Sequence, residues 1–141
     1  MNLHKLAEYF EGKVGAGELL KCISAEVEEY KRNANKKGSS LPIYADYDDF
    51  QFIVDIAHVS KLCQSYISGI FNEWDISYIC NLLELSESFE PAEENVEEAI
   101  FLMSDPIVNY PISERLCNLI LSWTGSPKKQ KLTSYLKEHY H

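Results

Sequence analysis

Asp55, His58 and Cys63 put an acid, an imidazole and a thiol into one short segment, the arrangement closest to a catalytic relay in this chain. A thiol nucleophile needs its base within hydrogen-bond reach. On a helix, a spacing of three brings Asp55 beside His58. A spacing of five turns Cys63 to another side, with the apolar stripe. The pattern therefore predicts a helix-surface Asp–His pair beside a core cysteine. The other histidines, His4, His139 and His141, lie near the chain ends. Asp46, Asp48 and Asp49 resemble calcium ligands, but the EF-hand loop requires glycine at its sixth position and glutamate at its twelfth. Counted from Asp46, those places hold Gln51 and Ala57. The three aspartates are left as an acidic turn, either merely solvated or in contact with a basic partner. Gly12, Gly15 and Gly17 are followed by no lysine-serine pair, so no phosphate cradle is read there. G-x-S-x-G and H-E-x-x-H are absent as well. The expectation is a protein without catalytic residues, metal or cofactor.

The elements that would carry these groups are helical almost throughout. Leu3, Leu6, Ala7 and Phe10 mark a short first helix, broken by the glycines that follow. Leu19, Ile23, Val27 and Tyr30 carry a longer second one, closed by Lys31-Arg32 at its negative dipole end. Residues 33–42 read as a loop. Phe50 to Val54 fits a strand by alternation, yet Phe50, Ile53, Val54 and Ala57 also fit a helix. Helix is the reading adopted, because Val59, Leu62, Cys63, Tyr66, Ile67 and Ile70 continue the period. Asn72 caps a helix with Ile76, Ile79, Cys80 and Leu83 on its core stripe. Pro91 opens another, carrying Val96, Ala99, Ile100 and Met103, stopped by Asp105-Pro106. Ser113 caps a helix through Leu116, Leu119, Ile120 and Trp123 to Gly125, and Ser126-Pro127 opens a last one with Leu132, Tyr135 and Leu136. The expected fold is all-α: one domain over residues 1–141, a compact bundle of about seven short amphipathic helices, with a minor strand pair near residues 43–54 as the exception. Leu6, Tyr9, Gly12, Glu18 and Leu19 echo Cys63, Tyr66, Gly69, Asp75 and Ile76, an internal repeat too faint to carry an inference.

Charge is the least ordinary property of the 141 residues. Thirteen Lys and Arg stand against 22 Asp and Glu, a formal net charge of -9. Residues 41–105 hold 14 of the acids and a single base, Lys61. Such a block repels nucleic acid, whose binding rests on cationic neutralisation of phosphate, and attracts a basic protein. No run approaches the roughly 18 apolar residues of a membrane span, and no apolar leader follows the start. A cytoplasmic protein is expected, with Cys22, Cys63, Cys80 and Cys117 as reduced thiols inside apolar helical patterns, far apart and without C-x-x-C spacing.

The acids concentrate where aromatics do. Between Asn72 and Tyr110, Glu73, Asp75, Glu84, Glu87, Glu90, Glu93, Glu94, Glu97, Glu98 and Asp105 accompany Trp74, Tyr78 and Phe89. Trp74 and Tyr78, one turn apart, form a second ridge beside Glu73 and Asp75. Aromatic anchors beside carboxylates suit a Lys- or Arg-rich protein surface. The plainer reading packs Trp74 and Tyr78 on a neighbouring helix and leaves the acids solvated. The candidate partner contacts are thus Asp46, Asp48, Asp49, Glu73, Trp74, Asp75, Tyr78, Glu87, Glu90, Glu94 and Glu97.

The words Gly69, Asn72-Glu73-Trp74, Tyr78-Ile79, Leu82-Leu83, Glu97-Glu98-Ala99-Ile100-Phe101, Leu102-Met103-Ser104-Asp105-Pro106 and Ile107-Val108-Asn109 together resemble one group of bacterial immunity proteins. These are small helical proteins encoded beside polymorphic or contact-dependent growth inhibition toxins. Residues 1–60 and 112–141 carry no such pattern. The resemblance implies a cytoplasmic inhibitor of the cell's own imported toxin C-terminal domain, commonly a nuclease, blocked at its basic active site or substrate-binding surface. An acidic helical adaptor or regulatory subunit for another basic protein is the alternative, since it needs the same surface.

Overall fold

Asn2 starts the first helix, its side chain accepting the His4 N–H at 2.9 Å. The computed structural model describes residues 2–34, 50–105, 111–124 and 130–140. Asp46, Asp48 and Asp49 fall outside them, as do Ser126 and Pro127; the last helix starts at Leu132, behind an extended Lys131, and not at the Ser126-Pro127 pair. Helix α1 (Leu3–Phe10) ends at Gly12, which is left-handed at φ +80°. The Gly12 N–H reaches the Tyr9 carbonyl at 3.1 Å and the Lys13 N–H reaches that of Glu8 at 2.8 Å. Helix α3 (Ile56–Ile67) ends the same way at Gly69, φ +84°, with bonds of 3.0 and 3.1 Å to Tyr66 and Ser65. Glycine takes this backbone without the strain a Cβ would bring. The faint repeat in the sequence thus extends to backbone geometry at one of its identical positions.

The remaining elements are α2 (Ala16–Ala34), β1 (Phe52–Val54), α4 (Glu73–Leu85), β2 (Phe89–Pro91), α5 (Glu94–Ser104), α6 (Glu114–Thr124) and α7 (Leu132–His139). Seven helices hold 72% of the described residues, so the all-α bundle stands. Three further local expectations are corrected. Phe52–Val54 is a strand rather than helix, running parallel to β2 with Phe52 opposite Phe89 and Val54 opposite Pro91. Pro91 ends that second strand, and the next helix starts three residues later, behind Glu93. Ile70 lies beyond α3 and is 42% exposed. The strand wins because Phe52 and Val54 turn inward together while Ile53 turns out, a period of two. Phe52 then meets Phe89 at 5.8 Å between ring centres and Phe10 at 5.9 Å.

Helix α4 is the centre of the bundle. Asp75, Ile76, Ser77, Tyr78, Ile79, Cys80, Leu82 and Leu83 are all buried, leaving little of its circumference to solvent. Its buried polar groups are satisfied. Ser77 Oγ donates to the Ser104 carbonyl at 2.9 Å and shares a 2.8 Å hydrogen bond with the Tyr30 hydroxyl. Asn81 Nδ2 donates to the Tyr30 oxygen at 3.0 Å and the Ser104 carbonyl at 2.8 Å. This network fixes α2, α4 and α5 in one register, since a half-satisfied network would be costly. No helix among the described residues is long and apolar enough to cross a membrane.

Candidate partner-binding surface

Asp55 and His58 form a reciprocal helix cap. The Asp55 carboxylate accepts the His58 backbone N–H at 3.2 Å, and His58 Nδ1 accepts that of Asp55 at 3.0 Å. Cys63 lies in the core, fully buried. Neighbouring Cys117 and burial push its thiol up, away from the thiolate a nucleophile requires. Cys80 is likewise pushed up by burial. Cys22 differs from the others: it is exposed on α2. Among the described residues, no group of three His, Cys, Asp or Glu could hold a metal ion.

The acidic-aromatic ridge expected at the start of α4 is dismantled by burial. Tyr78 has no exposed surface; its hydroxyl donates to the Glu26 carboxylate at 2.6 Å, and its ring meets Tyr30 edge-on at 5.5 Å. Asp75 is 4% exposed and completes a capping box, accepting the Asn72 N–H at 2.8 Å while Asn72 accepts its own at 2.9 Å. Burial raises the Asp75 pKa, and its hydrogen bond to Asn72 opposes the rise. Neither residue can meet a partner. Trp74 is half-buried against Tyr30 at 6.2 Å, and only Glu73 faces solvent fully. A helix wrapped on nearly every side has no second ridge to offer.

Carboxylates do converge at the other end of α4. A groove of about 540 Å³ runs between Leu83 and Glu84 of α4, Phe89 and Pro91 of β2, the outer face of α5, and Lys131 and Thr133 at the start of α7. Glu94, Glu97, Glu98 and Phe101 line it from α5. Their spacing of i, i+3, i+4 and i+7 places them on one helix face, opposite the buried Val96, Ala99 and Met103, with the buried Ile100 at the flank that meets the groove. Glu84, Glu94 and Glu97 are exposed, and none of them is ion-paired with a Lys or Arg among the described residues. Glu98 is committed to the fold, accepting the Thr133 N–H at 3.1 Å and so capping α7. Phe101 is 52% exposed.

Glu87 and Glu90 flank this groove without entering it. Glu90 alternates with Phe89 and Pro91 along β2, so it turns to the opposite face, level with the 62% exposed Ile53. Glu87 precedes the strand, its carbonyl accepting a 3.2 Å bond from Gln51. Glu73 sits eleven residues before Glu84, about 16 Å along α4. The single acidic face expected from the sequence is therefore divided, with Glu73 at the far end of α4 and Glu90 turned away from the groove, and only Glu94 and Glu97 of the candidates line the groove.

The sequence did not single out Glu84, Glu98, Phe101 and Lys131. The α5 stripe was readable from its spacing. Lys131 was not, because only the tertiary fold brings α7 to α5. Lys61, the one base of the acidic block, cannot neutralise the groove: it donates to the Tyr9 carbonyl and lies over the Tyr9 ring, 4.7 Å from its centre. The chain matches no protein-family model, no curated protein and no solved structure.

Proposed function

We propose that this chain is a cytoplasmic immunity-type protein that neutralises a toxin domain by covering a basic surface of it, without catalysis of its own. The observation that carries this reading is the exposed carboxylate row of Glu84, Glu94 and Glu97 beside a half-exposed Phe101, with no Lys or Arg paired to it among the described residues. Exposed acids lining one groove favour the arrival of a cation from elsewhere. An aromatic group beside them supplies apolar contact area that charge alone does not. The sequence resemblance around residues 69–109 names the class of partner, a toxin domain with a cationic cleft for phosphate. Occupying that cleft with carboxylates excludes its nucleic-acid substrate both sterically and electrostatically. The test is co-expression with the toxin domain encoded by the gene immediately upstream. Restored growth and a co-purifying complex are the expected result. Undiminished toxicity with no complex would overturn the reading.

A further inference from the structure

We infer that the groove between α4, β2, α5 and α7 is the docking site for an amphipathic basic helix of the partner protein, one that places two Lys or Arg side chains against Glu94 and Glu97 and an apolar side chain against Phe101. This rests on the binding role proposed above and names the segment that the site takes. The groove floor is apolar, formed by Leu83, Phe89 and Ile100, and its rim is acidic, so neither a purely apolar nor a purely charged occupant matches it. Glu94 and Glu97 lie one turn apart, and Phe101 follows one turn further on, about 10 Å from Glu94 along the axis. A partner helix antiparallel to α5 repeats that spacing, setting basic groups at i and i+3 or i+4 and its apolar group one turn away. Carboxylates in the first turn of α5 also complement its dipole. That role explains their helical position, and the apolar floor beside them is the separate feature that calls for an occupant with an apolar face. Among the described residues Lys131 is the one cation lining the groove, and its charge opposes a basic occupant.

The probe is an alanine-based helical peptide about 16 residues long, carrying Lys at two positions one turn apart and Leu one turn beyond. Binding is followed by fluorescence anisotropy against a peptide with Glu in place of Lys. The full chain should bind the basic peptide and not the acidic one. Glu94→Gln/Glu97→Gln should weaken binding roughly tenfold and Phe101→Ala roughly fivefold, while Lys131→Glu should strengthen it about threefold. Melting temperatures no lower than the parent's identify these as surface effects; a variant that melts early is replaced by Glu94→Asp/Glu97→Asp, which should bind nearly as the parent does. No binding by the parent chain, equal binding of the acidic peptide, or unchanged affinity in the double glutamine variant would each overturn the assignment. The growth assay separates this failure from that of the proposed function. Rescue that persists in a variant unable to bind the peptide removes the groove and leaves the immunity reading. Peptide binding without rescue removes the immunity reading and leaves the groove.

Discussion

Only a neutral imidazole can accept a hydrogen bond at Nδ1, and His58 accepts one there from the Asp55 N–H. Burial beside Phe10 and Phe52 lowers its pKa, with the Asp55 carboxylate opposing the shift. The folded state therefore holds this proton less tightly than the unfolded chain. Its contribution is fully present above the unfolded value near 6.5 and is lost as pH falls through the lower, folded value. Stability from this cap, of the order of 1 kcal/mol, should decline on acidification from neutrality. His58→Gln keeps an acceptor at that position at every pH. Denaturant midpoints at neutral and mildly acid pH should differ less in the variant; equal differences would refute the capping role. Asp75 has the opposite sign. Its raised pKa means that its contribution is complete below the unfolded value near 4 and is lost as pH rises through the folded one. At neutral pH the buried charge and the favourable helix dipole oppose each other. Asp75→Asn keeps the acceptor and should stay within about 0.5 kcal/mol of the parent at neutral pH, while Asp75→Ala loses about 1 kcal/mol with the cap. Urea unfolding of the pair checks this, and an Asn variant as weak as the Ala variant would contradict it.

Helix starts with a polar side-chain cap were the most readable elements because that signal is local. By contrast, α5 behind Glu93 and α7 behind Lys131, where the cap residue makes no side-chain bond, start later than the sequence suggests. Asn2, Asp55, Asn72 and Ser113 each cap through a side chain within three residues, and Asn72 and Ser113 declared this by type and position. The strand pair was less readable, since Phe52 and Val54 are held by Phe89 and Pro91 from a segment far along the chain. Three residues cannot display a period that separates strand from helix. The groove was half-readable for the same reason: its α5 stripe is local, whereas the approach of Lys131 is not. Glycines sharpen the distinction. Gly69 is left-handed and an added Cβ there would meet nothing within 4 Å, so Gly69→Ala costs backbone strain alone, about 1 kcal/mol. Gly17 is the second residue of α2, also in open space, where Ala should instead add up to about 0.5 kcal/mol, less than in a helix interior. Thermal melts of the two single variants should move in opposite directions. A shared direction would show that the chain turn after α3 does not depend on its left-handed residue.

At the scale of the whole molecule, one charge distribution has two consequences of opposite sign. The chain carries a net charge of -9, and the one base of its acidic block, Lys61, is held against Tyr9. Lys131 offsets only part of the carboxylate charge at the groove, and the remainder is self-repelling in the free protein, a cost that counter-ions reduce. Raising sodium chloride from about 20 mM to about 300 mM should raise the melting temperature by a few degrees, as the Debye length shrinks below the spacing of surface charges. The same change should slow association with a basic partner, because the field that steers the encounter is screened over the same distance. Dissociation, governed by apolar contact at Phe101 and by close ion pairs, should change less. Stopped-flow association and scanning calorimetry on one preparation test both halves together. In Glu94→Gln/Glu97→Gln the salt-dependence of melting and of association should both be shallower, since both arise from the same charges. If only one of the two slopes responds, the groove carboxylates are either a folding liability or a recognition surface, and the shared electrostatic origin argued here fails.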